Sequence, residues 1–267
     1  MMLIIRDTKE NACKWISSYM VKKINEFKPN QNKYYIIGFC LGESTINVLH
    51  SLVDAFFRDS ISFRYIKLFV LEEYVNLPEN HPRSNHYLMW RHLFRHVDIQ
   101  PANVFIPNGN VKDLITECHD FEENITKSGG LNMVIGEATS DGQLSYNEPA
   151  SSLGSRTRVK SLAQGKIDEK AKYFDGVENV PRTAISAGIK TIMDAQIVII
   201  CATGFDRSMA IYKAMEEGIN HMVVLSAFQK HPKTVLVCDK AATIDLKART
   251  IEYFNSLEDL IESKEGH

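Results

Sequence analysis

A regular alternation of short apolar runs and longer amphipathic segments is the feature that most constrains this chain. The apolar runs predicted as strands are residues 3–5, 34–39, 66–71, 131–135, 197–202 and 235–238. The segments predicted as helices are residues 9–27, 44–57, 87–96, 113–127, 207–217 and 241–257. Strands that alternate with helices and are apolar throughout are typical of a parallel sheet buried on both faces. We therefore predict a single α/β domain over residues 1–267, with a modified doubly wound, mainly parallel, Rossmann-like sheet and helices on both faces.

Two predictions concern the ends of these elements. Ligands of such sheets bind outside the carboxyl ends of the strands, so we expect chemistry in the segments after Phe39, Leu71, Ile135 and Ala202. Gly218, which follows the helix at 207–217, is expected to end that helix in the left-handed region.

The balance of residue types excludes several classes of protein. A net charge of −2 gives no basic surface for nucleic acid or for an anionic membrane. The five cysteines are far apart and form no CxxC pair, which argues against a disulfide framework and a structural zinc site. The chain shows neither an apolar run of about 18 residues nor a signal-peptide pattern at its start. We expect a reduced, cytoplasmic protein.

The turn at residues 38–45, Gly-Phe-Cys-Leu-Gly-Glu-Ser-Thr, lies between a predicted strand and a predicted helix. Such a turn points backbone N–H groups at an anion, and the helix dipole adds to the attraction. It lacks the full G-x-G-x-x-G and G-x-x-x-x-G-K-S patterns, so nucleotide binding is weakly supported. The alternative is a plain strand-to-helix turn with Ser44 as its N-cap.

Two acidic segments follow predicted strands, and each has two interpretations. Glu72 and Glu73 come directly after a buried run and are either a general base with its neighbour or a solvated acidic turn. Asp141 and Glu148 lie in a short loop that contains Gly142. They are either an acid–base pair above a small ligand or ordinary turn chemistry.

A third polar segment, residues 151–160, reads Ser-Ser-Leu-Gly-Ser-Arg-Thr-Arg-Val-Lys. Its hydroxyls and three cations suit a phosphate or a sulfate. A solvated strand with basic residues on one side explains the same pattern equally well.

Four histidines surround the helix predicted at residues 87–96: His81, His86, His92 and His96. No HExxH pattern and no matching carboxylate accompany them. We therefore predict no metal site.

Together these motifs give the chain a resemblance to glucosamine-6-phosphate deaminases over about residues 3–254. Further matching stretches are residues 73–75, 151–152, 155–160, 193–195, 216–222 and 226–229. The resemblance implies a modified doubly wound fold and a homo-oligomer, commonly a hexamer. It also implies an amino-sugar phosphate ligand and an aldose–ketose isomerisation coupled to deamination. That reaction needs no organic cofactor and no metal.

The resemblance implies a catalytic set of Glu72, Asp141, Gln143 and Glu148, in which two positions differ from the family pattern. The family usually has Asp where this chain has Glu72, so the carboxylate lies one methylene further out. The family's ring-opening His is replaced by Gln143, whose amide can donate hydrogen bonds but cannot shuttle a proton near pH 7.

The resemblance also implies a phosphate site formed by Gly42, Glu43, Ser44, Lys172 and Arg207. Leu41 and Glu43 replace a Thr and a Ser of the family, and Glu43 would stand where a dianionic phosphate docks. Arg207 replaces a phosphate-binding Lys, and it either grips phosphate or pairs with Glu43 and closes the site. Glu137 and Thr139 replace glycines and would crowd a close backbone approach.

Regulated members of the family bind N-acetylglucosamine 6-phosphate at an allosteric site between subunits. The positions that match this site are Ser151, Ser152, Arg158 and Lys160. All four family residues are present, so the resemblance implies a retained effector pocket beside a rewritten active site.

These departures lead to one main hypothesis and three alternatives. The main hypothesis is a deaminase-like protein of amino-sugar metabolism with weak or lost turnover. The alternatives are an active deaminase that produces fructose 6-phosphate and ammonia, a sensor of N-acetylglucosamine 6-phosphate, and a structural partner for an active paralogue in mixed hexamers.

Overall fold

The fold is described from a computed structural model, which describes the backbone of residues 1–265 and the side chains of residues 1–260. The seven strands of the main sheet are β1 (Met2–Arg6), β2 (Tyr35–Phe39), β3 (Ile66–Val70), β5 (Val104–Phe105), β6 (Met133–Glu137), β9 (Ile197–Ala202) and β10 (Thr234–Asp239). They are parallel in every pairing, in the order β1-β10-β9-β6-β2-β3-β5. The predicted parallel α/β sheet is confirmed.

Within residues 1–265, eight α-helices connect or cover these strands. They are α1 (Lys9–Phe27), α2 (Glu43–Phe57), α3 (Asn85–His92), α4 (Leu114–Lys127), α5 (Gln164–Lys170), α6 (Ile189–Met193), α7 (Ser208–Glu216) and α8 (Ala248–Glu265). Local signals set their ends. The hydroxyl of Thr8 accepts a hydrogen bond from the backbone N–H of Asn11 before α1, and the carboxylate of Asp113 caps α4 in the same way.

The core lies on both faces of the main sheet, because successive side chains of a strand point to opposite faces. Ile37 and Ile135 pack with α1, α2 and α3 on one face. Ile36 and Val134 pack with α4, α6 and α7 on the other. Burial on both faces is the reason that the strand sequences are apolar throughout.

A small antiparallel sheet, which the sequence did not predict, lies beyond the carboxyl ends of β2 and β3. It consists of β4 (Glu72–Tyr74), β8 (Thr183–Ser186) and β7 (Arg158–Ser161), in the order β4-β8-β7. It joins the main sheet through the backbone hydrogen bond from Ala187 N to Leu71 O, 2.7 Å. A hydrogen bond from Leu41 N to Glu72 Oε1, 2.9 Å, holds β4 of this sheet beside the turn that follows β2.

Several element ends differ from the sequence prediction. Helix α3 ends at His92, and a separate 3-10 turn covers Phe94–His96. The segment predicted as one helix from 241 is a 3-10 turn, Lys240–Thr243, followed by α8. Gly218 is not among the residues with positive φ, so the left-handed end predicted for α7 is wrong. The chain leaves α7 through Glu217 in an extended conformation instead.

Candidate functional site

The predicted ligand crevice lies at the carboxyl ends of β2 and β6, which are neighbours in the sheet. From β2 the chain continues to β3 on one side, and from β6 it continues to β9 on the other. Such a reversal of direction is where doubly wound sheets bind their ligands. Three groups of polar side chains meet here, from the β2–α2 turn, from the end of β6 and from the small sheet.

The turn before α2 is an anion-binding turn whose anion is supplied by the protein. Gly42 is the N-cap, with extended backbone and no capping side chain of its own, so the predicted N-cap Ser44 lies inside the helix instead. The carboxylate of Glu137 accepts a hydrogen bond from Ser44 N at 2.6 Å and another from Ser44 Oγ at 2.9 Å. Ser44 Oγ also lies 3.0 Å from Thr203 Oγ1. A carboxylate therefore occupies the position at the helix N-terminus that favours negative charge.

Arg207 completes this arrangement, and we call Ser44 N, Ser44 Oγ and the Arg207 guanidinium the anion cradle. Arg207 Nη2 lies 3.4 Å from Glu137 Oε1, and its Nη1 lies 2.6 Å from Asp206 Oδ2. The side chain of Glu137 is only 7% exposed. The cation is therefore shared between two carboxylates, and Glu43 is not its partner in an ion pair.

Glu43 faces away from the cradle. Its carboxylate pairs with Lys9 Nζ on α1 at 2.8 Å, and 80% of its side chain is exposed. The hydrogen bond and the charge of Lys9 lower the pKa of this carboxyl. The alternative in which Glu43 forms an ion pair with Arg207 is wrong, whereas the position of Glu43 relative to a docked phosphate stays a prediction. Glu137 occupies the anion position because it ends the strand beside the turn, whereas Glu43 projects outward from the first turn of α2.

Lys172, predicted as a phosphate ligand, is exposed on the segment after α5. Its Nζ lies 4.8 Å from the centre of the Tyr173 ring. The structure does not bring it into contact with the anion cradle in the form described.

Glu72 is the buried acid of the site. It is 4% exposed, and its Oε1 accepts a hydrogen bond from Leu41 N at 2.9 Å. Burial raises the pKa of the Glu72 carboxyl to about 7, although a hydrogen bond from Ser145 and the positive charge of Lys170 act in the opposite direction. A carboxyl group that titrates near neutral pH suits a general base.

The sequence analysis missed three neighbours of Glu72, which are Ser145, Ser186 and Lys170. Ser145 has φ 58°, in the left-handed region, and its Oγ lies 2.8 Å from Ser186 Oγ on β8. Lys170 lies above Tyr74 and Tyr146, with Nζ 5.8 and 5.6 Å from the ring centres. Burial lowers the pKa of Lys170, but its interactions with Tyr74 and Glu72 outweigh burial and the net shift is upward. A basic residue in an otherwise solvated helix gives no sequence signal of this contact.

The structure brings Asp141 and Gln143 together. Gln143 Nε2 donates to Asp141 Oδ2 at 2.7 Å, and the hydroxyl of Thr139 donates to the other carboxylate oxygen. Lys166 Nζ lies 3.7 Å from Asp141. Gln143 is 3% exposed, so its amide is held in one orientation. Glu148 is bound elsewhere, accepting a hydrogen bond from Ala163 N at 2.9 Å before α5.

Two of the predicted allosteric residues, Ser151 and Ser152, precede β7, and the other two, Arg158 and Lys160, lie on it. Ser151 is 5% exposed, and its Oγ has no hydrogen-bond partner among the described residues. Ser152 is exposed and accepts from Gly154 N at 3.3 Å. Arg158 and Lys160 share one side of β7, as alternation along a strand requires. Burial lowers the pKa of Arg158.

A cavity of about 1030 Å³ is lined by residues of α4 and β7. Its lining includes Cys118, Glu122, Ile125, Arg156, Arg158 and Thr191. Glu122 is held in this wall by hydrogen bonds from the backbone N–H and the hydroxyl of Thr157, at 2.8 and 2.6 Å. Arg158 is the only one of the four predicted allosteric residues in the lining.

The histidines predicted not to bind metal do not form a three-ligand group. His92 Nδ1 lies 2.8 Å from His50 Nε2. Within the described side chains, the one group of three metal-ligand types is His119, Asp120 and Glu123, all exposed. Exposed acidic groups are common without an ion, and this group lies outside the crevice.

The fold and the crevice define a doubly wound α/β protein with a polar crevice at its topological switch point. The chain is 43% identical over 258 residues to a glucosamine-6-phosphate deaminase of Drosophila pseudoobscura pseudoobscura, which covers 96% of this chain and 94% of that protein. It is 45% identical over 258 residues to glucosamine-6-phosphate deaminase 2 of Mus musculus, with the same coverage. The chain belongs to the glucosamine-6-phosphate deaminase family.

Solved structures agree with this assignment. A structure described as a monomeric glucosamine-6-phosphate deaminase superposes with a TM-score of 0.86 at 27% identity, covering 91% of this chain and 98% of that chain. A 6-phosphogluconolactonase from Leishmania guyanensis has a TM-score of 0.71 at 13% identity, covering 92% and 99%, and shares the fold alone. No protein-family model matches the chain. No helix among the described residues is long and apolar enough to cross a membrane.

Proposed function

We propose that this chain is a deaminase-family protein of amino-sugar metabolism whose turnover of glucosamine 6-phosphate is strongly reduced. The observation that carries the proposal is the Glu137 carboxylate on Ser44 N, Ser44 Oγ and Arg207. A phosphate that used this cradle would have to displace Glu137. A like-charge pair at 4 Å costs about 4 kcal/mol at an effective dielectric constant of 20, and a phosphate dianion carries two charges.

A second observation supports reduced turnover through the acid–base groups. Gln143 stands beside Asp141, where the family uses an imidazole, and an amide cannot carry a proton near pH 7. Loss of general acid–base assistance typically lowers rates by about 10²–10⁴-fold. The extra methylene of Glu72 adds to this, because a misplacement of about 1 Å can cost on the order of 10²-fold.

A working deaminase is the alternative that the Glu72 environment favours. Its pKa of about 7 suits proton transfer between two carbon atoms of a sugar, and Leu41 N orients the carboxylate. In that case no proton shuttle is needed at position 143, because sugar rings open spontaneously. The Glu137 side chain then moves out of the anion cradle when substrate enters.

The test is release of ammonia and fructose 6-phosphate from glucosamine 6-phosphate, with and without N-acetylglucosamine 6-phosphate. We expect turnover near the buffer rate for the natural chain and at least a tenfold gain for Glu137→Gly. Glu43→Ser is the matched control, because it removes an exposed carboxylate next to the same turn, and it should leave the rate unchanged. Clear turnover by the natural chain, rising as one group ionises near pH 7, would establish the working deaminase.

The effector pocket is part of the proposal. Ser151 Oγ is buried and has no hydrogen-bond partner among the described side chains, and Arg158 and Lys160 lie together on β7, which supports a site for N-acetylglucosamine 6-phosphate. We expect saturable calorimetric binding of this ligand that Arg158→Ala abolishes, and no heat at millimolar ligand would contradict it. The homo-oligomer, commonly a hexamer in this family, stays a prediction, as do mixed hexamers with an active paralogue. Co-purification with such a paralogue would support the mixed assembly.

A further inference from the structure

The anion cradle is already occupied by the chain's own carboxylate. Both donors of Ser44 point at Glu137, and Arg207 divides its guanidinium between Glu137 and Asp206. The carboxylate satisfies the N-terminus of α2, which has no side-chain cap of its own. A ligand therefore meets a surface that accepts hydrogen bonds where a phosphate would need donors.

Gly42 leaves the room that this carboxylate fills. A β-carbon at Gly42 would lie 2.3 Å from Glu137 Oε2 and 2.9 Å from Glu137 Cβ. Glu137 is thus packed against the turn backbone, and the small exposed fraction of its side chain agrees with a fixed position.

The charges around the crevice give no excess for a dianion. Its carboxylates are Glu72, Glu137, Asp141 and Asp206. Its cations are Lys166, Lys170 and Arg207. The cations are fewer than the carboxylates, so a ligand with two negative charges adds to the negative charge of the crevice, whereas a neutral or singly cationic ligand does not.

We propose that Glu137 is a specificity residue, a built-in anion that takes the place of the substrate's phosphate, and that the crevice binds an amino sugar without a phosphate ester. This inference rests on the proposed function, because it keeps the same crevice and changes the class of ligand. The primary hydroxyl of such a sugar is a donor, and the carboxylate of Glu137 is an acceptor. The ammonium group of the sugar suits a crevice that contains the carboxylates of Glu72 and Asp141.

The test is calorimetric titration of the full chain with glucosamine and with glucosamine 6-phosphate. We expect saturable binding of glucosamine by the natural chain and binding of glucosamine 6-phosphate weaker by roughly 10²-fold or more, since the ester brings like charges together. In Glu137→Gly the order of affinity should reverse. Glu137→Gln, which keeps the acceptor oxygen and removes the charge, should bind both sugars and lose most of the discrimination, and it decides the matter if the glycine variant does not fold.

Two outcomes would overturn the inference. The first is that the natural chain binds glucosamine 6-phosphate as well as or better than glucosamine, and the second is that it binds neither sugar. Neither outcome contradicts reduced turnover. Rapid release of ammonia from glucosamine 6-phosphate would instead contradict the proposed function, so the two failures are distinguishable.

Discussion

The carboxylate of Glu137 accepts a hydrogen bond from the backbone N–H of Ser44 at 2.6 Å. The bond joins the last residue of β6 to the first turn of α2, two elements that are distant in sequence and adjacent at the switch point of the sheet. A single strand-end residue therefore both caps a helix and sets the charge of the crevice.

Removal of this carboxylate should open the cradle to inorganic phosphate. We expect that orthophosphate raises the melting temperature of Glu137→Gly by several degrees and leaves that of the natural chain unchanged. A ligand at 100 times its Kd stabilises by about 2.7 kcal/mol, and 1 kcal/mol corresponds to about 2–4 °C for a domain of this size. Glu43→Ser serves as the control and should respond like the natural chain. An equal shift in the natural chain would mean that Glu137 yields readily to anions.

Substitution of Glu72 should change stability in a pH-dependent way. The folded-state pKa of about 7 lies above the ordinary 4.5, so the folded chain binds the proton more tightly than the unfolded chain. The contribution of this carboxyl to the free energy of unfolding is therefore largest below pH 4.5, and it is lost as the pH rises from 4.5 through 7.

We expect Glu72→Gln to be more stable than the natural chain at pH 8 by up to about 3 kcal/mol. The difference should vanish below pH 4.5. Urea unfolding at both pH values measures it, and Glu252→Gln on the exposed side of α8 is the control that should show no such trend. A difference that is the same at both pH values would show that Glu72 keeps an ordinary pKa in the folded chain.

The sequence predicts the main sheet because the pattern of apolar residues along the chain indicates which strands and helix faces are buried. β9 spans Ile197–Ala202 and α1 spans Lys9–Phe27, as predicted, since both are long and strongly patterned. The small sheet escaped prediction because β4 is three residues long, too short for an alternating pattern. The sequence predicted which segments meet in the crevice, because ligands of such sheets bind outside the carboxyl ends of the strands.

The direction of individual side chains was not predictable from the sequence. From the sequence, Glu43 was the residue expected to stand where a phosphate docks, because it lies in the turn itself. As the first residue of α2, however, it points toward Lys9 on α1. Glu137 was noted only as a bulky replacement for glycine. Its reach to Ser44 depends on the pairing of β6 beside β2, a tertiary relationship that no local pattern encodes.

A histidine at position 143 should restore a proton shuttle, but only when the cradle is open. Gln143 Nε2 already donates to Asp141 at 2.7 Å, so an imidazole N–H has an acceptor in place. We expect Glu137→Gly with Gln143→His to release ammonia from glucosamine 6-phosphate faster than Glu137→Gly alone, by roughly 10²-fold or more.

The pH profile separates this effect from a simple change in binding. Both double variants keep the titration of Glu72 near pH 7, but only Glu137→Gly with Gln143→His should show a second titration, near the pKa of histidine, about 6.5, which Glu137→Gly with Gln143→Asn lacks. A gain of the same size from Gln143→His in the natural chain would show that Glu137 does not block the cradle.

The buried hydroxyl of Ser151 should be destabilising until something binds it. Its Oγ is buried and has no hydrogen-bond partner within the part of the chain that the structure describes. An unsatisfied buried polar group costs about 1–3 kcal/mol. We therefore expect Ser151→Ala to raise the free energy of unfolding of the ligand-free chain by about 1 kcal/mol. The control is Ser152→Ala, which removes an exposed hydroxyl that accepts from Gly154 N and should change this free energy little or lower it slightly.

N-acetylglucosamine 6-phosphate should then stabilise the natural chain more than Ser151→Ala, as measured by urea unfolding at fixed protein concentration. Loss of stability in Ser151→Ala without ligand would mean that the hydroxyl already has a partner in the assembled protein, and that an interface between subunits supplies it.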